Sequence, residues 1–334
     1  MPRQTMFRSI LVPLDGSAFA EQAVPLAAGL ANRAGGKLRL VLVHRTPTMP
    51  LDSASPKLYT SVELATRKAE HAYLHGFAER LRQAGTTVTS AVTLSGPIGS
   101  SLVEYVTEVG IDLVVMATHG LGGLQRAWLG SVADYLVRTL EVPVFLVRPF
   151  EKGTAAPRDL GKGQILVPMD GSPLAEEMLE CAAELARSWD SEILLLQVVQ
   201  PLNLVQDAML PLPSGYDEEL TNLWRNQAQA YVEGLATRLR EHGLRAIGAA
   251  VIGWNTVETI LAAAHPERTS AIALATHGRS GVRRLALGSV ADKLVRSADV
   301  PVLVYHPSSL RQGKPKPSSR ESVTPPKMAA KAER

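Results

Sequence analysis

Short, near-continuous apolar runs alternate with longer stretches in which apolar residues recur three and four positions apart, and the alternation is read twice along the 334 residues. The first run, Phe7-Arg-Ser-Ile-Leu-Val-Pro-Leu, ends in Asp15-Gly16-Ser17, and Gln164-Ile-Leu-Val-Pro-Met repeats it with Asp170-Gly171-Ser172. Each is followed by helical periodicity, over 18–33 and 173–188. Residues 37–44 and 193–199 are apolar runs of strand length, which suits parallel strands covered on both faces. Proline-bearing loops over 46–56 and 200–215 lead into long amphipathic helices, 59–84 and 217–241, each stopped by a glycine, Gly85 or Gly243. Third strands over 87–94 and 244–252, further helices to Val109 and Ala264, fourth strands over 112–117 and 271–275, and fifth strands over 142–147 and 300–305 complete the pattern.

Strands alternating with helices predict parallel sheets joined by right-handed crossovers. The expected fold is therefore α/β: two tandem doubly wound domains, each a five-stranded parallel sheet with helices on both faces, flavodoxin- or Rossmann-like. The boundaries read as residues 1–149 for the first domain, 150–163 for a linker and 164–307 for the second. Residues 308–334, rich in Pro, Ser and Lys, read as a disordered basic tail, because so little apolar surface cannot offset the entropy of ordering. With 46% hydrophobic and 20% charged residues the chain can fill two ordinary cores. The tail holds seven basic residues against two acidic ones, so of the net +3 it carries about +5 and the body about −2. A mildly acidic body argues against a nucleic-acid face. The start has no apolar signal core and no run reaches membrane-span length, so no membrane association and a cytoplasmic location are expected. Cys181 is alone, which excludes a disulfide and a thiolate metal site and leaves a core residue.

The candidate chemistry lies in the longest recurring stretch. Thr118-His119-Gly120 leads through a glycine-bearing loop to Gly130-Ser131-Val132-Ala133-Asp134; Thr276-His277-Gly278 leads to Gly288-Ser289-Val290-Ala291-Asp292. A helix N-terminus offers unpaired N–H groups and the positive end of a dipole, and glycine lets an anion approach the backbone. Such a stretch at the carboxyl end of a strand, near Asp15 or Asp170, makes a phosphate cradle if first and fourth strands are neighbours. The simpler reading makes Ser131 and Ser289 plain N-caps worth about 1 kcal/mol and the glycines turn residues. His119 and His277 recur without a second ligand at metal or dyad spacing, so neither a metal site nor acid–base chemistry is assigned. Trp128 and Trp224 read as packing residues.

On these residues each half resembles a universal stress protein domain, and the chain resembles a tandem member of that family from Phe7 to Tyr305. The ATP-binding pattern of the family is a glycine, two residues, a glycine, nine residues and Gly-Ser or Gly-Thr, with an aspartate ending the first strand. It matches at Gly120, Gly130, Ser131 and Asp15, and at Gly278, Gly288, Ser289 and Asp170; the first glycine is replaced by Ala117 and Ala275. The resemblance implies adenine contacts at Pro13 and Leu14 or Pro168 and Met169, and at a second-strand residue, Arg45 or Val198. Arg45 suits a dry adenine slot less well than Val198, and the second loop has Arg279, Arg283 and Arg284 where the first has Arg126, so the second site is expected to bind more tightly. The implied function is an ATP-binding, stress-response regulator acting through nucleotide-dependent conformation or partner binding, with ATP and Mg²⁺ as ligand and an unknown protein partner. No Walker Gly-Lys-Ser/Thr and no paired carboxylates near the cradle argue for a dedicated enzyme. A slow ATP hydrolase and a nucleotide-free structural or chaperone-like protein stay open as alternatives. The resemblance also implies pairing of fifth strands about a two-fold axis, giving an intramolecular pseudo-dimer, with a homodimer as a further option.

Overall fold

The computed structural model describes residues 6–44, 56–118, 129–149, 163–201, 218–276 and 287–306. The first half consists of β1 (Ser9–Leu14), α1 (Ala18–Glu21), α2 (Val24–Ala34), β2 (Lys37–His44), α3 (Pro56–Gln83), β3 (Val88–Ser95), α4 (Ile98–Val109), β4 (Leu113–Ala117), α5 (Ser131–Thr139) and β5 (Val144–Val147). The second repeats it with β6 (Gln164–Met169), α6 (Pro173–Trp189), β7 (Glu192–Val199), α7 (Glu218–Glu241), β8 (Ala246–Ile252), α8 (Thr256–Ala263), β9 (Thr269–Ala275), α9 (Ser289–Ser297) and β10 (Val302–Tyr305). One expected element differs. The helix read over 18–33 is broken, because Pro25 has no N–H and its ring would meet the carbonyl four residues back; the chain restarts with the proline in the first turn of α2. In the second half the proline comes first, Pro173 after the capping Ser172, and α6 runs unbroken.

The ten strands form one sheet in the order β3-β2-β1-β4-β5-β10-β9-β6-β7-β8. Pairing is parallel within each half and antiparallel between β5 and β10, with Phe145 opposite Leu303 at the seam. The tandem doubly wound expectation is met, and the two fifth strands remove each other's open edge.

Helices cover both faces. On one, α2, α3, α6 and α7 bury Leu30, Leu74, Met178 and Val232 against Ile10, Val12, Ile165 and Ile193. On the other, α4, α5, α8 and α9 bury Leu102, Leu136, Ile260 and Leu294 against Leu11, Val114, Leu166 and Ile272. Cys181 belongs to the first of these layers, and burial pushes its thiol up to about 12. The seam is packed from both sides. Phe145 of the first half meets Trp189 of the second with ring centroids 5.8 Å apart. On the opposite face, Asp134–Arg138 and Asp292–Arg296 form matching two-pronged pairs one helical turn apart, and each arginine also feels the other half's aspartate. Arg148 reaches across to the carbonyls of Ser297 and Ala298, which end α9, and to Asp299 at 3.3 Å.

At the outer edge of the second half, α7 lies directly on β8. A Cβ at Gly248 would sit 2.6 Å from the Val232 carbonyl carbon, so only glycine fits beneath the helix. From α7, Gln229 donates to the Gly248 carbonyl and accepts the Ala250 N–H, both at 2.8 Å, occupying backbone groups of the edge strand. Gly248→Ala is expected to lose about 1–3 kcal/mol, since backbone rather than a flexible side chain must yield. Urea unfolding measures it, and a loss within error would show that α7 shifts freely. Among the described residues no helix is long and apolar enough to cross a membrane.

Candidate functional site

The site forms where the two faces diverge. β1 is paired to β4 and β6 to β9, yet the helices following β1 and β6 lie on one face of the sheet while α5 and α9, which follow β4 and β9, lie on the other. Such a reversal opens a crevice at the carboxyl ends of the strands. In the second half it is a cavity of about 910 Å³. Pro168 and Asp170 reach it from the end of β6, Val198 from β7, Ala275 from β9, and Gly288, Ser289 and Val290 from the start of α9. The second-half calls therefore converge on one wall-to-wall space, except His277 and Gly278, which lie outside the described residues together with Arg279, Arg283 and Arg284.

The aspartate has a structural task as well. Asp170 Oδ1 accepts the Ser172 N–H at 2.9 Å and its hydroxyl at 2.6 Å, and Ser172 in turn caps α6 by accepting the Ala175 N–H. Asp15, Ser17 and Ala20 repeat the arrangement. The intervening glycines, Gly16 and Gly171, have φ of +82° and +79°, the left-handed backbone that this turn needs. Ser131 and Ser289 are not the N-caps of the simpler reading. Gly130 and Gly288 hold that position without a side-chain cap, and their N–H groups donate at 2.8 Å to Thr118 and Thr276, closing each loop back onto its strand. The N–H groups of Ser289, Val290 and Ala291, in the first turn of α9, have no carbonyl within the helix to meet, and all three residues line the cavity.

Two readings are corrected. Trp224 is no core residue: it is 40% exposed and forms part of the cavity wall. With Gln227, Ala228 and Tyr231 it makes one helical stripe, a spacing visible in the sequence that sequence reasoning assigned to packing. Arg45 is not the counterpart of Val198. Pro13 pairs with Val41 and Pro168 with Leu196, so Val198 corresponds to Val43, and Arg45 lies outside the described residues. Gln197, Gln227, Tyr231 and Thr256, also on the wall, were missed. Tyr231 donates to Glu176 at 3.0 Å, and burial followed by that carboxylate drives its phenol well above the usual 10.

In the first half, Pro13 and Asp15 end β1 and open its turn, Ala117 ends β4, and Gly130, Ser131 and Val132 lead into α5. His119, Gly120, Gly122, Gly123, Arg126 and Trp128 lie outside the described residues. A cluster that sequence reasoning did not find occupies this half. His44, 3% exposed at the end of β2, places Nδ1 2.7 Å from Glu70 Oε2 and Nε2 3.0 Å from Glu63 Oε1, both on α3; Arg67 donates to the same Glu63 oxygen at 2.7 Å. Burial works to lower the His44 pKa, but the hydrogen bonds and charge of Glu70 and Glu63 overcome it and raise it above 6.5. The Arg67 hydrogen bond, helped by His44 against burial, holds Glu63 below 4.5.

These directions set a pH window. A raised histidine pKa adds stability that is complete below its unfolded value and fades as pH rises through the folded one; a lowered glutamate pKa adds stability that fades as pH falls. The melting-temperature gap between wild type and His44→Leu is thus expected to be widest near pH 5–6 and to shrink on both sides, at about the ordinary carboxylate and imidazole limits. A gap that widens steadily above pH 8 would contradict this. Among the described residues no group of three or more His, Cys, Asp or Glu is arranged to hold a metal ion.

With this geometry established, comparison with known proteins gives a consistent answer. The model of the universal stress protein family matches residues 6–148 and again 163–306. A universal stress protein of Thermus aquaticus is 30% identical over 143 residues, covering 43% of this chain and 100% of that protein. One from Mycobacterium tuberculosis is 26% identical over 333 residues, covering 91% of this chain and 96% of its own. The crystal structure of a universal stress protein from Archaeoglobus fulgidus superposes with a TM-score of 0.63 at 17% identity, over 90% of this chain and 97% of that one.

Proposed function

The chain belongs to the universal stress protein family, and we propose that it is an adenine-nucleotide-binding stress-response regulator whose second half holds ATP. The observation that carries this reading is the convergence of Pro168, Asp170, Val198, Ala275, Gly288, Ser289 and Val290 on one cavity, with the open end of α9 among its walls. In this reading the free N–H groups of α9 take the phosphates, Asp170 faces the ribose, and Pro168 and Val198 flank the base. Mg²⁺, when bound, neutralises phosphate charge. Ala275 and Ala117 are compatible with it: both end strands, whose extended backbone suits any L-residue, so the missing glycine is no backbone requirement.

The work of such a site is binding: occupancy changes what a protein partner meets, without a dedicated turnover step. The halves divide at 149 and 164, and a cytoplasmic protein with a basic tail over 308–334 fits this role.

The test is to denature freshly purified protein, chromatograph what is released, and titrate ATP–Mg²⁺ into stripped protein by calorimetry. Released adenine nucleotide and a saturable heat are expected, with the fold stabilised by roughly 2.7 kcal/mol at 100 times Kd. No released nucleotide and no heat at about 1 mM ATP, against the −4.1 kcal/mol of a millimolar Kd, would sink the reading. A phosphate-release assay on the same samples decides between binding and hydrolysis.

A further inference from the structure

We propose that the chain binds one nucleotide, in its second half, because the first half fills the corresponding space with its own side chains: His44 at the end of β2 clamped between Glu63 and Glu70 of α3. This rests on the reading that the second half holds ATP.

The two halves can be superimposed residue by residue at this point. Tyr73 donates to Glu21 at 2.8 Å and Tyr231 to Glu176 at 3.0 Å, which sets Tyr231 of α7 against Tyr73 of α3. Counting back along each helix, Ala228 matches Glu70 and Thr221 matches Glu63. The strand registers, Leu14 with Leu42 and Met169 with Gln197, set Val199 against His44.

Val199 and Ala228 both line the cavity, so between strand and helix the second half leaves a space. In the first half the same gap is spanned by a 2.7 Å contact from His44 to Glu70, with Glu63 closing the other side of the ring. Opening it means separating an imidazole from two carboxylates rather than displacing water. The first half thus presents a polar cluster of His44, Glu63, Glu70 and Arg67 at this place, whereas the second half offers Val199, Ala228 and the Trp224 ring.

A second observation points the same way. Gln197, on the cavity wall, has a buried side-chain oxygen with no hydrogen-bond partner, a state that a ligand donor would relieve. Its counterpart in the first half is Leu42, which needs no partner.

The experiment is the stoichiometry of ATP–Mg²⁺ binding to the full chain, by equilibrium dialysis and calorimetry. Wild type is expected to take one nucleotide per chain, and Gly288→Asp none. His44→Val/Glu63→Thr/Glu70→Ala, which installs the second-half residues, is expected to take two. The reverse graft, Val199→His/Thr221→Glu/Ala228→Glu, is expected to lose binding while keeping the wild-type circular dichroism spectrum. Two nucleotides on wild type, or one remaining on Gly288→Asp, would overturn the proposal while leaving ATP binding intact. A folded triple variant that still takes one overturns the role of the triad. No binding to wild type at all removes the functional reading itself. If the triple variant does not fold, the wild type, Gly288→Asp and the reverse graft decide the matter.

Discussion

Phe145→Ala is expected to lose about 3–5 kcal/mol of stability and to weaken both halves at once. The ring is fully buried, it stands opposite Leu303 in the antiparallel pair, and it packs on Trp189 of the other half. Truncation removes core volume where no loop can collapse inward, because strands flank it on both sides. Against a total stability of about 5–15 kcal/mol this is a large fraction. Calorimetric melting measures it. The wild type should unfold in one transition and the variant at lower temperature with a broadened or split one, whereas Leu74→Ala, buried on α3 over β2 and β3 at the outer edge of the sheet, should shift the melt without splitting it. A loss below about 1 kcal/mol, the scale of an ordinary surface change, would mean that the halves barely depend on the seam.

Gly288→Asp is expected to move stability and binding in opposite directions. Gly288 is the N-cap of α9 with φ −57° and ψ 149°, a backbone that any residue accepts. Aspartate there caps the helix and complements its dipole, adding a few tenths of a kcal/mol over glycine. The same carboxylate occupies the N–H groups on which the phosphates would rest and repels them. ATP affinity should fall at least a hundredfold, about 2.7 kcal/mol. Titration calorimetry beside a thermal melt reads both effects. Weaker binding cannot then be ascribed to unfolding, and unchanged affinity would remove α9 from the site. Gly130→Asp, the matching change in the first half, should leave affinity untouched.

Most of the fold was legible because each element carries its own period and stop signal. Gly85 and Gly243 end the long helices with φ of +87° and +77°, as their places in the sequence suggest. The break before Pro25 follows from the same local chemistry, but only if the proline is weighed above the apolar spacing that continues through it. The site was legible where backbone geometry dictates residue type, as at Asp170-Gly171-Ser172 and Gly288-Ser289. It was illegible where side chains from separate elements meet. Periodicity places Trp224 on the inner stripe of a helix without saying that the facing strand ends there and leaves a void. The His44 cluster joins residues 19 and 26 positions apart, and its meaning appears only beside Val199 and Ala228. The Arg45 assignment was a misalignment that the sequence itself could have avoided, since Val198 stands 28 residues after Asp170 and Val43 stands 28 after Asp15, as the strand registers also have it.

The antiparallel seam has a consequence for what a partner can touch. Because β5 and β10 run in opposite directions, every strand of the first half points away from every strand of the second. The carboxyl ends of β1 and β4 and those of β6 and β9 therefore lie at opposite poles of the molecule, and no single small ligand can bridge them. A macromolecule docking at the second-half pole would sense the cavity there and be blind to the His44 cluster at the far pole. A repeat that is symmetric in backbone thus gives a body with a distinguishable front and back.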